Sequence, residues 1–513
     1  MDKNLVLAIA LSFLVYIGWF YYMEKNYKTA APPSVPQVMQ TLARSSSQAQ
    51  PTPLTMPGTL QARPRHATVP AWSEQTTLGG GKAVIVSRGA ALASFRFADP
   101  AGEVELVESA TPGLFATNAG ADFQKPAQGA MAPLSFAAAL PGGLLLTKEF
   151  IPGTENVLPR IRMSFANHSS GALRTPSWTL SLGPGLGTTA GDAETNAKAL
   201  RVAALTVPDP PSARGKVLDL KQGLQAGAFQ WLAVDNRYFL AAVLPVSSDL
   251  ARIEVPEPAK LLLTFKDRVV PPRGETTWDI PYYLGSKGYI ELSRYKEGLE
   301  RSVNLGYFSQ LAEFALKTLY ACHRLTGNWG WAIILLTLLI QTLLFPMTLK
   351  TFKTQAAMRK LQPEVARIQQ RYAKDPQKLQ AEMMELYRKE GANPLGGCLP
   401  MLVQIPVFYA LYGALRNAWE LHGAAWIWWI HDLSAKDPYY ALPVVMGGLM
   451  FLQNRMGQQL PDPAQARMMK WMPVVFTFMF LKLPSGLVLY WLTNSLATTL
   501  IQAGFRNRFA AAT

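Results

Sequence analysis

Amide and hydroxyl side chains interrupt several stretches of this chain that are otherwise apolar. On a helix, Thr337 and Gln341 would share one face, and Tyr490, Asn494 and Thr498 would share a face of another helix. Because polar groups are costly in hydrocarbon, such residues form hydrogen bonds between helices or line a hydrophilic groove. The pattern alone leaves both alternatives open. The candidate site residues are Thr337, Gln341, Gln404, Thr477, Tyr490, Asn494 and Thr498.

Six apolar runs are the helices expected to position these side chains. They cover residues 5–23, 329–348, 399–415, 439–452, 471–481 and 487–501. Their lengths predict a polytopic α-helical membrane protein with six transmembrane helices. Lys3 precedes the first run and no small-residue cleavage site follows it, which predicts an uncleaved signal anchor. The last two runs are short, which predicts local thinning of the bilayer.

The positive charge of the chain is concentrated beside these runs. The net charge is +15, and residues 350–396 hold ten Lys/Arg against five Asp/Glu. Basic segments next to apolar runs stay in the cytoplasm. We therefore expect a multi-pass protein of the bacterial inner membrane, with its N-terminus in the cytoplasm and residues 71–300 in the periplasm. This distribution explains the charge without a specific nucleic-acid partner.

Residues 71–300 have the pattern of a β-sandwich. Short β-rich runs alternate with Gly, Pro, Asn and Asp, as all-β domains require. The predicted strands lie at 82–86, 144–146, 161–165, 178–180 and 261–265. Residues 29–70 carry eight prolines and no acidic residue, and they are predicted to form a flexible tether.

An amphipathic helix is predicted between the β domain and the second apolar run. Its apolar stripe would hold Leu311, Phe314, Ala315, Leu319 and Cys322, as suits a helix lying in the membrane interface. An ordinary core-facing helix would show a similar stripe. The sequence leaves this choice open.

No catalytic, cofactor or metal site is expected. Cys322 and Cys398 fall on opposite sides of the predicted membrane and cannot pair. Residues 71–300 hold no cluster of His, Cys or carboxylates with metal-ligand spacing. His431 and Asp432 are adjacent, but no nucleophile is identifiable as their partner. The chain is therefore not expected to be an enzyme.

The basic segment 350–396 is predicted to form a helical hairpin. Apolar residues recur at helical spacing on both sides of Asp375 and Pro376, which are a good N-cap and first helical residue. Pro363 is a candidate kink in the first helix. Basic side chains here satisfy the positive-inside rule and could also recruit lipid or targeting factors. They are Arg359, Lys360, Arg367, Arg371 and Lys374.

Longer motifs in the last third of the chain carry a family resemblance. They are NPLGGC at 393–398, QIPVF at 404–408, WIHDLS at 429–434, DPYY at 437–440 and PSGLVLY at 484–490. With them the chain resembles the YidC/Oxa membrane protein insertases of Gram-negative type. The resemblance implies a five-helix core enclosing a groove that is closed toward the periplasm. It also implies a periplasmic β-sandwich of the supersandwich kind.

The resemblance also implies a function and a site. The expected function is insertase and folding chaperone for nascent membrane proteins in the phospholipid bilayer, alone or with the Sec translocon. Ribosomes or targeting factors would bind at the cytoplasmic face, and no cofactor is implied. Trp491 joins the groove residues named above. Gln341 departs from the family pattern, because an arginine usually stands at that position. A secondary transporter and a purely structural membrane-assembly factor remain the alternatives, together with an envelope enzyme.

Together these observations predict an order of segments. They are an anchor at 1–28, a tether at 29–70, the β domain at 71–300, an interfacial helix at 301–328, a second transmembrane helix at 329–349, a basic hairpin at 350–396, transmembrane helices three to six at 397–508 and a short cytoplasmic tail at 509–513.

Overall fold

The computed structural model describes residues 73–108, 113–118, 123–124, 134–208, 215–373, 375–390, 399–456 and 463–510. The chain divides into two compact units, Met1–Pro70 and Ala71–Thr513. The predicted anchor and tether belong to the first unit and lie outside the described residues, as do Gly391 and Cys398.

Nineteen strands form the β domain in the second unit. The strands are β1 (Ser73–Leu78), β2 (Gly81–Val86), β3 (Ala91–Asp99), β4 (Gly102–Glu105), β5 (Ala116–Asn118), β6 (Leu134–Leu140), β7 (Leu144–Ile151), β8 (Arg160–Asn167), β9 (Leu173–Arg174), β10 (Trp178–Leu182), β11 (Arg201–Thr206), β12 (Val217–Leu220), β13 (Gly223–Gln225), β14 (Phe229–Asp235), β15 (Phe239–Val243), β16 (Leu250–Val255), β17 (Leu261–Phe265), β18 (Val269–Val270) and β19 (Glu275–Ser286). All five predicted strands are confirmed, as parts of β2, β7, β8, β10 and β17.

Two large antiparallel sheets make the sandwich. One has eight strands in the order β12-β11-β14-β15-β19-β8-β7-β6, and the other has five in the order β13-β16-β17-β10-β5. Trp178 of the smaller sheet packs edge-on against Trp278 of the larger one, with ring centroids 5.8 Å apart. The strands β1 to β4 form a further sheet that shares the same apolar core. The predicted β-sandwich is confirmed.

The helices follow the β domain, apart from one short helix within it. They are α1 (Ala193–Ala199), α2 (Tyr289–Arg294), α3 (Ser309–Thr326), α4 (Trp329–Arg371), α5 (Pro376–Lys389), α6 (Leu399–Asn417), α7 (Ala441–Met456), α8 (Pro463–Phe480) and α9 (Ser485–Ala510). A second apolar core joins α3, α4, α6, α7 and α9 to the outer face of the eight-stranded sheet, where Trp231 and Leu240 are buried.

Helix α4 unites two predicted elements, the span at 329–348 and the first helix of the hairpin. It has 43 residues and continues through Pro346 and Pro363. At 1.5 Å per residue it is about 65 Å long, roughly twice the hydrocarbon thickness. Asn328 caps its start, where the side chain accepts hydrogen bonds from the backbone of Gly330 and Trp331.

The predicted hairpin is confirmed where it is described. Leu361 and Val365 of α4 are buried against Met383 and Tyr387 of α5. Asp375 caps α5, with its Oδ1 accepting from the backbone N–H of Lys378 at 3.2 Å. The basic side chains of Lys360, Arg367 and Arg371 are exposed, whereas those of Arg359 and Lys374 lie outside the described part.

The stripe predicted for the helix before α4 is partly wrong. In α3 the buried residues are Ala312, Ala315, Leu316, Leu319 and Cys322. Leu311 and Phe314, which the stripe included, are 38% and 66% exposed. Because α3 packs against both α4 and α6, the face that carries Leu316 and Leu319 meets the neighbouring helices, and Leu311 and Phe314 face outward.

The last two apolar runs lie within longer helices. Helices α8 and α9 contain 18 and 26 residues, because the polar residues flanking each apolar run are helical too. Local thinning of the bilayer stays a prediction. By length and mean hydropathy, one helical segment among the described residues could cross a membrane, Trp329–Met358, and Lys470–Phe480 is a shorter apolar helix.

Candidate substrate groove

Helices α4 and α9 face each other through amide and hydroxyl groups. The side-chain Nε2 of Gln341 on α4 donates to Oδ1 of Asn494 on α9, and to Oγ1 of Thr498 one turn further at 3.4 Å. Gln341 is 8% exposed. The spacing of four residues, which predicted that Asn494 and Thr498 share a face, brings two acceptors on α9 to one amide.

A second contact brings α6 to the same face of α9. The side-chain Nε2 of Gln404 donates to the hydroxyl of Tyr490 at 3.2 Å. Tyr490 is buried and stands one turn before Asn494. Polar side chains of two other helices, α4 and α6, therefore bond to α9. We call the five residues that form these bonds the α9 network: Gln341, Gln404, Tyr490, Asn494 and Thr498.

The structure does not bring Thr337 and Thr477 into this network. The hydroxyl of Thr337 donates to the carbonyl of Ile333 at 2.7 Å, and that of Thr477 donates to the carbonyl of Pro473 at 2.7 Å. Both bonds lie within the residue's own helix. Thr477 also packs against Gly447, where α8 meets α7.

Trp491 lies in an aromatic contact. Its ring is 4.9 Å from that of Phe408 on α6 and 5.1 Å from that of Phe480 on α8, measured between centroids. Such pairs stabilise helix packing beyond their buried area. Trp491 therefore holds α9 against two neighbours, next to the α9 network.

One polar contact between helices was not predicted from the sequence. The side-chain Nε2 of Gln453 on α7 donates to the carbonyl of Ser495 and to Oγ1 of Thr499, both at 2.8 Å. These two residues lie on another face of α9 from Asn494. Their spacing of four could have predicted the pair, but Gln453 falls just outside the apolar run 439–452.

The loop between α6 and α7, residues 418–440, closes one end of the site. Its carbonyls at Leu433 and Ala435 accept hydrogen bonds from Gly486 at 2.8 Å and Ser485 at 2.7 Å, which begin α9. Its Ala425 carbonyl accepts from the side chain of Asn328, the cap of α4, at 3.0 Å. The first N–H groups of a helix lack partners within it, so this loop supplies them.

The α9 network is electrically neutral. Its five members are amides, hydroxyls and one phenol, and Gln341 occupies the position where the family resemblance implies an arginine. Such groups form hydrogen bonds that water or a peptide group can replace. The arrangement therefore offers reversible polar contacts without a fixed charge.

Comparisons with known proteins agree with these observations. The family model for the 60Kd inner membrane protein matches residues 321–512, and that for the YidC periplasmic domain matches residues 187–317. The membrane protein insertase YidC of Nitratidesulfovibrio vulgaris (strain DP4) is 34% identical over 543 residues, covering 96% of this chain and 97% of that protein.

Two further similarities cover different shares of the chains. The membrane protein insertase YidC of Endomicrobium trichonymphae is 42% identical over 344 residues, covering 64% of this chain and 65% of that relative, which is just under two thirds of its length. A crystal structure of an active YidC insertase with its first transmembrane domain resolved covers 84% of this chain and 92% of its own, at 18% identity and a TM-score of 0.38.

Proposed function

This chain belongs to the YidC family of membrane protein insertases, and from that premise we propose that it inserts nascent membrane proteins into the inner membrane along the α9 network. The carrying observation is that Gln341 and Gln404, on two different helices, bond to one face of α9. A substrate segment would replace these bonds as it passes.

The energetics of the network support this role. A neutral hydrogen bond contributes about 1 kcal/mol net, so exchanging the contacts of Gln341 and Gln404 for water or peptide groups costs little. The substrate's apolar segment then gains about 25 cal/mol per Å² on leaving water for lipid. Insertion along this path needs neither covalent chemistry nor a cofactor.

The topology and partners belong to the same proposal. The core would comprise five helices, with a sixth from the N-terminal anchor, the β domain in the periplasm and the α4–α5 hairpin in the cytoplasm. The length of α4, about 65 Å, lets it cross the hydrocarbon and extend well beyond it. The exposed Lys360, Arg367 and Arg371 give the hairpin a basic surface for ribosomes or targeting factors. The Sec translocon would be a partner for larger substrates.

Insertion into liposomes tests the proposal. The purified full chain is reconstituted, a single-span substrate is synthesised alongside, and protease protection of its translocated segment is measured. Gln341→Leu removes the amide and should lower the insertion rate about tenfold. The leucine offers no hydrogen bond to Asn494, to water or to the substrate along the path. Gln341→Arg keeps the donors and should be tolerated.

Thr342→Val is the matched control. Thr342 follows Gln341 directly, is exposed on the other side of α4, and bonds only to its own helix at the carbonyl of Leu338, 2.8 Å away. Its loss should leave the rate unchanged. A Gln341→Leu protein that inserts as fast as the unmodified chain would contradict the proposal, and so would a solute flux without any insertion.

A further inference from the structure

The β domain contacts the α6–α7 loop at one buried histidine. His422 of this loop has a side chain 1% exposed. Its Nε2 lies 3.3 Å from Oδ1 of Asp99, at the end of β3, and its Nδ1 lies 3.4 Å from Oδ2 of Asp192. Asp192 ends a short 3-10 helix of the β domain, Ala190–Asp192. Two carboxylates of the β domain thus face opposite nitrogens of one imidazole ring.

The contacts around the ring hold it on both sides. The hydroxyl of Ser434, a residue of the same loop, lies 3.3 Å from Nδ1, on the side of Asp192. Asp99 is close to Nε2 without forming a hydrogen bond with it. The buried ring therefore fills the space between the two carboxylates.

The other groups around His422 do not neutralise the negative charge of Asp99 and Asp192. Tyr238 stacks on the ring with centroids 4.3 Å apart, and burial raises the pKa of its phenol to about 12, so it carries no charge at neutral pH. Arg237 lies 3.8 Å from Oδ1 of Asp192 and donates to the carbonyl of Arg416 at the end of α6. The negative charge of Asp432 also raises the pKa of the Tyr238 phenol.

Both carboxylates are held in place by further donors. Asp99 accepts from Nε1 of Trp419 and from the backbone N–H of Ala101, each at 2.9 Å. Asp192 accepts from the hydroxyl of Thr189 at 3.1 Å. These bonds fix both carboxylates, so the space that His422 occupies is set by the β domain.

The backbone leaves little room for adjustment at this joint. Gly423, next to His422, has a φ of 66° and approaches the turn after β3 so closely that a Cβ would overlap the backbone of Pro100 and Ala101. The same loop contacts the first residues of α4 and α9. A continuous set of contacts therefore runs from the β domain through His422 to the two helices that carry Gln341 and Asn494.

We propose that His422, buried between Asp99 and Asp192, is a positioning residue through which the β domain keeps the outer end of the groove closed. The β domain then contributes to insertion by fixing the α6–α7 loop, without having to hold the substrate. This inference rests on the proposed function for its last step, from loop to insertion. Its first step, from His422 to the loop, stands on the contacts alone.

Amide hydrogen exchange on the purified full chain in nanodiscs tests the first step. Protection of residues 419–437, corrected for the intrinsic exchange rate, is compared between the unmodified chain and His422→Gln at one pH. In His422→Gln, protection should be at least about tenfold lower, because the ring that packs between Asp99 and Asp192 is lost.

Two further variants separate the contact at His422 from a general loss of structure. His431→Gln is the matched control, because His431 is an exposed histidine of the same loop, and its protection should match that of the unmodified chain. Asp192→Asn keeps the size of the side chain beside Nδ1, so protection should persist. A His422→Gln protein with unchanged protection would overturn the proposal.

The liposome assay tests the second step. His422→Gln should lower the insertion rate at least about threefold, and His431→Gln should not. A loosened loop with undiminished insertion would overturn the link between the joint and the groove. If the unmodified chain does not insert at all, the proposed function fails, while the exchange data still decide whether His422 fastens the loop.

Discussion

In the β domain a charged side chain is completely buried, whereas the polar side chains buried within the described helices α3 to α9 are neutral. Lys148 on β7 is 0% exposed, and its Nζ lies 3.1 Å from the carbonyl of Gly89, 2.9 Å from that of Ala90, 2.6 Å from that of Phe115 and 2.9 Å from Oγ1 of Thr117. Burial lowers its pKa well below the usual value. In the helices, the buried polar residues include Thr337, Gln341 and Thr499.

The backbone explains this difference. Loops and strand ends of the β domain have carbonyls without partners in a sheet ladder, and several of them can surround one ammonium group. A helix uses its carbonyls internally, so a buried hydroxyl shares one that is already bonded, as Thr499 does with Ser495 at 2.7 Å. Neutral side chains are therefore the polar groups that can be buried between helices at a low cost in free energy.

The polar contacts of the β domain are fixed, whereas those between the helices can be exchanged for others. Removing one partner of a buried charge leaves groups that nothing else can satisfy, and the cost is high. Removing one neutral bond between helices costs little, because the freed groups find other partners. The β domain therefore carries contacts that fix its shape, and the helices carry the exchangeable contacts that the proposed groove requires.

The largest effect is expected for Lys148→Met. The change keeps the length of the side chain but removes the Nζ that donates to the carbonyls of Gly89, Ala90 and Phe115. The β domain should therefore lose on the order of 3 kcal/mol of unfolding free energy. Urea unfolding followed by tryptophan fluorescence measures this loss. Lys82→Met is the control, since that lysine is 79% exposed in its side chain and pairs only with Glu103. Equal stability of the two variants would contradict the contrast between the domains.

An intermediate effect is expected for Gly447→Ala. A Cβ at this position would overlap Oγ1 of Thr477, so α7 and α8 must separate, at a cost of about 2 kcal/mol. Unfolding in mixed micelles with SDS measures it. Gly448→Ala is the neighbouring control, because nothing lies within 4 Å of its Cβ. Thr477→Ala should restore most of the loss in the double variant; failure to restore it would mean that the contact with Thr477 does not limit the packing.

The smallest effect is expected for Gln404→Leu. It removes one neutral bond to Tyr490, so the bundle should lose less than about 1 kcal/mol in the same micelle assay. Tyr490→Phe removes the same bond, and the double variant should cost little more than either single one. A loss above about 2 kcal/mol would show that these neutral contacts are as fixed as those of Lys148.

Local patterns were enough to predict much of the secondary structure. Short β-rich runs between turn residues located β2 and β8, and the N-cap Asp375 located the start of α5, because these features depend on neighbours in the chain. The helical spacing of Asn494 and Thr498 likewise predicted that they share a face. Which segment this face would meet could not be read from spacing, since both hydrogen bonding and a groove suit it.

The sequence by itself determined the segment types, the polar stripe on α9 and the neutral residue at position 341, because each depends on residue type and short-range periodicity. Only the tertiary structure decided that Gln341 meets Asn494, 153 residues away, and that Thr337 turns to its own helix. It also decided which face of α3 is buried and that His422 lies between Asp99 and Asp192. These pairings depend on how separate elements pack against one another, and long-range packing leaves no periodic mark in a single sequence.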